Sequence, residues 1–116
     1  MASIDELMHA NLLEVFGERD PVARKAAIAR TYAPDVVFSD PEETVTGHDA
    51  LDAKAQGLLD SSPDFVFTPG GSVHVVDDLG HLAWEFGPAG KPPVARGADI
   101  ALVRDGLIVR LYTLLL

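Results

Sequence analysis

The sequence predicts one α+β domain, spanning residues 1–116, in which three helices precede a mostly antiparallel sheet. Apolar residues recur at helical spacing over roughly the first sixty residues, and short β-rich runs separated by turn residues follow from Phe65 onward. The hydrophobic fraction of 47% and the length of 116 residues are typical of a single globular core. Helices followed by strands favour a helical layer covering one face of the sheet.

The first helix is predicted from a capping box, because Ser3 stands three residues before Glu6. Gly17 ends this helix. Its inward stripe is predicted to consist of Ile4, Leu7, Met8, Leu12 and Val15.

Asp20 followed by Pro21 predicts the cap and first turn of a second helix, which Pro34 must end. Its inward side is predicted to consist of Val22, Ala26, Ala29 and Ala33. After a strand through Phe38, a third helix is predicted from about Gly47 to Leu59. Its inward residues are Leu51, Ala55, Leu58 and Leu59.

Five successive strands are predicted after the third helix, with hairpin-type turn residues between them. In order, they are DFVFTP, SVHVVD, HLAWEFG, VARGADIALV and LIVRLYTLLL.

Charge and composition exclude several classes of partner. The chain has 18 acidic and 9 basic residues, a net charge of -9, and the basic residues do not cluster, so neither nucleic acid nor an anionic membrane is an expected partner. No signal peptide or membrane span is predicted, and the absence of cysteine suits a cytoplasmic protein. The four histidines lack metal-ligand spacing, so no metal site is expected.

Asp40 ends a β-branched run in the stretch VVFSDPEET, and two interpretations of it stay open. Asp followed by Pro is an ordinary strand terminator. Alternatively, the strand delivers Asp40 to the mouth of a pocket, where a partly desolvated carboxylate with a raised pKa acts as a general base.

Asp99 lies inside the apolar run GADIALV, where strand alternation places it on one face with Ala101 and Val103. If that face is the interior, the carboxyl group must be protonated, paired or hydrogen-bonded. Aromatic side chains are predicted on two of these strands, and each could belong to the core, to the wall of a pocket, or to both. They are Phe65 and Phe67 on one strand and Trp84 and Phe86 on the other.

The order helix, helix, strand, helix and antiparallel strands, with YAPDVVFSDP leading to GHDAL and later GADIALVRDGLIVRLY, resembles the nuclear transport factor 2-like superfamily. The SnoaL-like and ketosteroid isomerase-like branches are the nearest. The resemblance implies a cone-shaped curved sheet covered by the three N-terminal helices and enclosing one pocket, often in a homodimer. It also turns Leu111, Thr113 and Leu115 inward and Tyr112 outward.

By the same resemblance, Asp40 falls where ketosteroid isomerases carry their proton-abstracting aspartate. Asp99 falls where they carry the protonated carboxyl of the oxyanion hole, and near an acid/base aspartate of SnoaL-type cyclases. The essential first-helix tyrosine of the isomerases aligns with about Leu12, and no tyrosine precedes Tyr32. Half of that oxyanion hole is therefore missing.

The expected function is the binding of a small hydrophobic organic molecule, with cofactor-free acid/base chemistry of the isomerase or cyclase type by Asp40 and Asp99. A non-catalytic binding or dimerisation module and an epoxide-hydrolase-type activation of water are the alternatives. A homodimer is expected through the outer sheet face, at Tyr112 and Leu114, because both faces of the last strand are apolar. The predicted substrate-binding residues are Leu12, Phe16, Leu58, Phe65, Phe67, Trp84, Phe86, Val103, Leu111 and Thr113.

Overall fold

The computed structural model describes residues 1–116 and confirms the α+β architecture of three helices and a curved sheet. The helices are α1 (Ile4–His9), which continues as a π-helical segment (Ala10–Phe16), α2 (Pro21–Thr31) and α3 (His48–Ser61). The strands are β1 (Tyr32–Ser39), β2 (Thr44–Thr46), β3 (Phe65–Pro69), β4 (His74–Val76), β5 (Leu79–Pro88), β6 (Ala95–Arg104) and β7 (Leu107–Leu115).

The strands form a seven-stranded sheet in the order β2-β1-β7-β6-β5-β3, and β4 pairs with β5. All pairings are antiparallel except that of β1 with β7, which is parallel. Along most of β5, buried residues alternate with half-buried ones, because one face of the strand packs against the helices. None of the helices is long and apolar enough to cross a membrane.

Local sequence signals account for the starts of the first two helices. The Ser3 hydroxyl accepts a hydrogen bond from the Glu6 backbone amide, and the Glu6 carboxylate accepts one from the Ser3 backbone amide. This is the predicted capping box. The Asp20 side chain accepts the Val22 amide and Pro21 opens α2, also as predicted. The π-helical segment was not predicted, since its apolar spacing also fits an α-helix.

The predicted inward side of α2 is wrong, because Val22, Ala26 and Ala29 are exposed. The residues that α2 buries are Arg24, Ala27, Ile28 and Thr31. Arg24 is 1% exposed, and its Nε donates to Asp52 Oδ1 on α3 at 2.6 Å. A paired arginine thus occupies a position that hydrophobic spacing alone assigns to the surface.

The boundary between α2 and β1 also differs from the prediction. The helix ends at Thr31, and Pro34 lies within β1 rather than stopping the helix. The proline is tolerated there because the pairing of β1 with β7 is irregular between Tyr32 and Val37, so no regular ladder hydrogen bond is lost. The short edge strand β2 was not predicted from its polar sequence.

The buried pair between Arg24 and Asp52 ties α2 to α3 and generates a stability prediction. We expect Asp52→Asn to lower the free energy of unfolding by about 1–3 kcal/mol, because a buried guanidinium loses its charged partner. Urea denaturation measures this loss. Asp64→Asn, at an exposed aspartate in the turn before β3, is the matched control and should change stability by less than about 0.5 kcal/mol. Equal effects of the two substitutions would contradict this role of the pair.

Candidate functional site

A cavity of about 760 Å³ lies between the helices and the concave face of the sheet. A volume of this size suits a small organic molecule. The apolar wall includes Leu12, Phe16, Phe38, Val45, Leu58, Phe67, Trp84, Phe86 and Leu115. Apart from Ser61, the polar side chains of the lining form two groups, which we call the floor (Asp99 and Thr113) and the mouth cluster (Asp40, Glu42, Glu43 and Lys54).

The floor is built around the carboxyl group of Asp99, which is only 4% exposed. Its Oδ1 accepts hydrogen bonds from Trp84 Nε1 at 3.0 Å and from Thr113 Oγ1 at 2.7 Å. Its Oδ2 accepts one from Asn11 Nδ2 at 2.8 Å. These donors come from β5, β7 and the π-helical segment, so the site exists only when the helical layer and the sheet are assembled.

Gly97 makes room for the donor on β5. It is the cross-strand partner of Trp84, and a Cβ at Gly97 would lie 2.2 Å from Trp84 Cζ2. The indole therefore lies across the β6 backbone and reaches Asp99 two residues farther along that strand.

Burial raises the pKa of Asp99 to about 6, even though the hydrogen bonds from Thr113, Trp84 and Asn11 act to lower it. The carboxyl group consequently changes charge near neutral pH. Such a group accepts a proton above this pKa and donates one below it.

Tyr32 extends the polar network behind the floor. Its hydroxyl donates to Asn11 Oδ1, and both side chains are fully buried. Burial raises the pKa of Tyr32 well above its ordinary value of 10.0, and the charge of Asp99 raises it further. The phenol therefore stays protonated and acts as a donor to Asn11.

Asp40 has a different environment at the mouth of the cavity. Its Oδ1 accepts the backbone amides of Glu42 and Glu43, at 2.9 and 3.0 Å. Its Oδ2 lies 2.7 Å from Lys54 Nζ, which also contacts Glu43 Oε2 at 3.0 Å. The β1–β2 turn is thus fastened to α3.

The pKa values of the mouth cluster follow from this pairing. Partial burial acts to raise the pKa of Asp40, but the bonds from Lys54 and the two amides outweigh it, so the pKa lies below the ordinary 3.8. Partial burial acts to lower the pKa of Lys54, whereas Asp40 and Glu43 hold it above its ordinary value. Asp40 thus lacks the raised pKa that the general-base interpretation requires, and its contacts match the turn interpretation.

The family model of the SnoaL-like domain matches residues 9–111, which include both aspartates and the whole sheet from β1 to most of β7. The chain belongs to the SnoaL-like domain family. No curated protein matches the sequence.

Solved structures show the same nuclear transport factor 2-like fold. A candidate isomerase of the SnoaL-like family from Agrobacterium tumefaciens is 18% identical, with a TM-score of 0.87 over 94% of this chain and 93% of that one. IdmH, a candidate polyketide cyclase from Streptomyces antibioticus, is 18% identical, with a TM-score of 0.75 over 98% and 92%. A candidate SnoaL-like polyketide cyclase from Jannaschia is 15% identical, with a TM-score of 0.73 over 99% and 89%.

Most of the residues predicted for the site of this SnoaL-like protein line its cavity. They are Asp40, Asp99, Leu12, Phe16, Leu58, Phe67, Trp84, Phe86 and Thr113. Three others lie outside the lining. Leu111 is completely buried in the core. Val103 comes directly after a register shift in β6, which interrupts the strand alternation on which its prediction depended. The Phe65 ring packs edge-on against Phe86, with 5.1 Å between the ring centroids.

The polar residues Glu42, Glu43 and Ser61 of the cavity lining were not predicted, and neither were Asn11, Lys54 and Tyr32. Asn11 lies four residues after Leu7 and four before Val15, so a polar residue on the inward stripe of the first helix was the available signal. Lys54 similarly stands one turn before the inward Leu58. Tyr32 carried no signal, because its position was assigned to the end of a helix.

The histidine pair of β4 and β5 lies away from the floor. His74 and His81 are cross-strand partners whose ring centroids are 5.6 Å apart, and neither lines the cavity. No group of three or more His, Cys, Asp or Glu side chains is arranged to hold a metal ion.

The fastening of Asp40 to Lys54 predicts a pH-dependent loss of stability in the SnoaL-like fold. At pH 7 we expect Asp40→Asn to lower the free energy of unfolding by about 0.5–2 kcal/mol, because the charged partner of Lys54 is lost. A lowered folded-state pKa adds stability above the unfolded value and loses it at lower pH. The difference from wild type should therefore shrink as the pH falls below 3.8.

Chemical denaturation at pH 7 and at pH 3 measures both parts of this prediction. Asp35→Asn, at an exposed aspartate of β1, is the matched control and should have little effect. An Asp40→Asn variant as stable as wild type at pH 7 would show that Asp40 does not fasten the turn.

Proposed function

We propose that this SnoaL-like protein catalyses cofactor-free proton transfer on a small hydrophobic, carbonyl-bearing molecule, as an isomerase or cyclase does, and that Asp99 is the catalytic acid/base. The observation that carries the proposal is a titratable carboxyl group at the floor of an apolar cavity, with a pKa raised to about 6. Groups tuned in this way are suited to proton transfer near neutral pH.

Hydrogen-bond counting leaves Asp99 capacity for a reacting proton. An ionised carboxylate has about four acceptor positions, and Trp84, Thr113 and Asn11 use three of them. Oδ1 accepts two donors, whereas Oδ2 accepts one. The remaining position is on Oδ2, and a proton taken from a ligand would be held there.

The proposed step breaks a C–H bond next to the substrate carbonyl and forms an O–H bond on Asp99, while the electron pair moves into an enolate. The proton neutralises Asp99, so the Thr113 hydroxyl, which can rotate, is released to donate to the enolate oxygen. If the enolate is conjugated with a C=C bond, Asp99 returns the proton to the far carbon, which is isomerisation. Alternatively, the enolate carbon attacks a second carbonyl of the same molecule, and the resulting alkoxide takes the proton from Asp99, which is cyclisation. Asp40 serves in this scheme to hold the cavity mouth through Lys54.

The candidate isomerase and candidate polyketide cyclases of the same fold support this reaction class. The rival function is a non-catalytic binding module in which Asp99 only ties the π-helical segment to the sheet. The two functions differ in proton exchange and not in ligand binding.

The decisive prediction is that the protein exchanges an acidic C–H proton of a bound aromatic ketone. With 2-tetralone in D2O, we expect saturable incorporation of deuterium next to the carbonyl, followed by NMR. Asp99→Asn should reduce the rate about 10²–10⁴-fold, because an amide cannot accept the proton. The wild-type rate should rise with pH through a midpoint near 6, since the ionised form is the base.

Asp105→Asn is the matched control, because Asp105 lies in the β6–β7 turn at a φ of 54°, which asparagine tolerates equally. Its exchange rate should match wild type. Quenching of Trp84, the only tryptophan, reports ligand binding independently. Saturable quenching without deuterium exchange would exclude the enzyme and favour the binding module.

We also propose a homodimer through the outer face of the sheet. Tyr112 and Leu114 on β7 are 40% and 47% exposed, and the Arg110 guanidinium lies 4.2 Å from the centre of the Tyr112 ring. Tyr112 and Leu114 form an apolar strip of the kind that a second copy covers in two-fold dimers.

The dimer prediction is tested by light scattering at micromolar concentration. Wild type should have twice the monomer mass of 12.4 kDa, and Leu114→Asp should give the monomer, because a charge cannot be buried unpaired in the interface. Val22→Asp, at an equally apolar but more exposed position on α2, should remain dimeric. A monomeric wild type would refute the proposal.

A further inference from the structure

We infer that Tyr32 and Asn11 form a positioning pair that keeps Asp99 a hydrogen-bond acceptor, and thereby keeps it ionised and ready to take up a proton. The pair touches no cavity surface, so its effect on the reaction passes through Asp99. Only this catalytic consequence rests on the proposed function, because the effect on Asp99 itself is a property of the free protein.

The geometry is a chain of three buried groups with a defined direction. The Tyr32 hydroxyl donates to Asn11 Oδ1, and Asn11 Nδ2 donates to Asp99 Oδ2 at 2.8 Å. Tyr32 and Asn11 are completely buried, and neither makes another side-chain hydrogen bond. The direction of the first bond therefore determines which end of the Asn11 amide faces Asp99.

A protonated Asp99 would gain from the opposite amide orientation. Rotating the amide by 180° would present Asn11 Oδ1 to Asp99, and a neutral carboxyl group could donate to it. The same rotation would present an NH2 group to Tyr32, whose buried O–H would lose its acceptor. Leaving a buried donor without a partner costs free energy, so Tyr32 opposes the orientation that stabilises neutral Asp99.

Tyr32 also strengthens the existing bond. A donor on the amide oxygen polarises the amide group, which makes the N–H of Asn11 a better donor to the carboxylate. Both effects favour the ionised form of Asp99. Removal of the Tyr32 hydroxyl should therefore raise the pKa of Asp99 above its already raised value.

The other groups around Asp99 do not change the direction of this expected pKa shift. Trp84 on β5 is a donor only, and Thr113 on β7 is neutral. The charged groups facing the floor across the cavity come from the β1–β2 turn and α3. They are the mouth cluster of Asp40, Glu42, Glu43 and Lys54, in which the lysine is paired with the acids.

The test is the pH titration of the Asp99 side-chain carboxyl carbon by NMR in protein labelled at aspartate, with the resonance identified by its loss in Asp99→Asn. We expect a wild-type midpoint near 6 and an upward shift of about 0.5–1 pH unit in Tyr32→Phe. Tyr112→Phe, which alters the other tyrosine of the chain on the outer sheet face, is the matched control and should leave the midpoint unchanged.

Asn11→Leu provides a second test that does not require Tyr32→Phe to fold. Loss of the amide donor should also raise the midpoint. In the double variant, Tyr32→Phe should add no further shift, because Tyr32 acts only through Asn11. An unchanged or lowered midpoint in either single variant, or additive shifts in the double variant, would overturn the inference.

The titration needs no substrate, so it tests the positioning pair whether or not deuterium exchange is found. If 2-tetralone exchange does occur, the pH at which its rate is half-maximal should move upward together with the Asp99 midpoint. A purely structural role of Tyr32 would lower the yield of folded protein without moving that pH. Failure of the exchange assay alone would count against the proposed enzyme and leave the positioning pair intact.

Discussion

A carboxyl group that is 4% exposed costs folding free energy unless donors surround it, and Asp99 draws its donors from three separate elements. The three elements that supply these donors must therefore be placed correctly relative to one another. The π-helical segment must turn Asn11 inward, Gly97 must leave space for the Trp84 indole, and β7 must keep Thr113 in register with Asp99. The arrangement of the helical layer on the sheet is thus coupled to a single buried side chain.

The two carboxyl groups of the cavity show how environment shifts the pKa of one residue type in opposite directions. Asp99 has a raised pKa because burial outweighs three donors. Asp40 has a lowered pKa because a lysine and two backbone amides outweigh its partial burial. An enzyme that moves protons needs a group of the first kind, whereas a group of the second kind is suited to holding a loop.

Periodicity and turn residues were sufficient to predict the class of fold and the order of most elements, because they report local preferences that the tertiary structure keeps. They failed where a long-range contact overrides the local pattern. Arg24 is buried because Asp52 on another helix pairs with it, and Pro34 fits a strand because its pairing with β7 is irregular. Neither partner is visible from the neighbouring sequence.

The candidate site shows the same contrast between features that local patterns predict and features that depend on long-range contacts. Strand alternation and the family resemblance together predicted that Asp99 and most of the apolar wall line the cavity. Alternation succeeds here because its period of two residues holds along most of each strand. The sequence could not reveal that Asp40 meets Lys54, because a β turn and a helix surface come together only in the folded chain. Asn11 was detectable as a polar residue in an apolar stripe, but its partner lies 88 residues away.

The parallel pairing of β1 with β7 has a consequence for the order in which the molecule is built. β1 joins the sheet only through β7 and the small edge strand β2, so the first strand waits for the last before it can enter the sheet. Most contacts of the helices with one another are local, whereas this closure is distant in sequence and therefore slow. On the ribosome, the helices and β1 emerge first, and β1 has no sheet partner other than β2 until β7 follows. The cavity, which is lined by Phe38 of β1 and Thr113 of β7, is consequently among the last features to form.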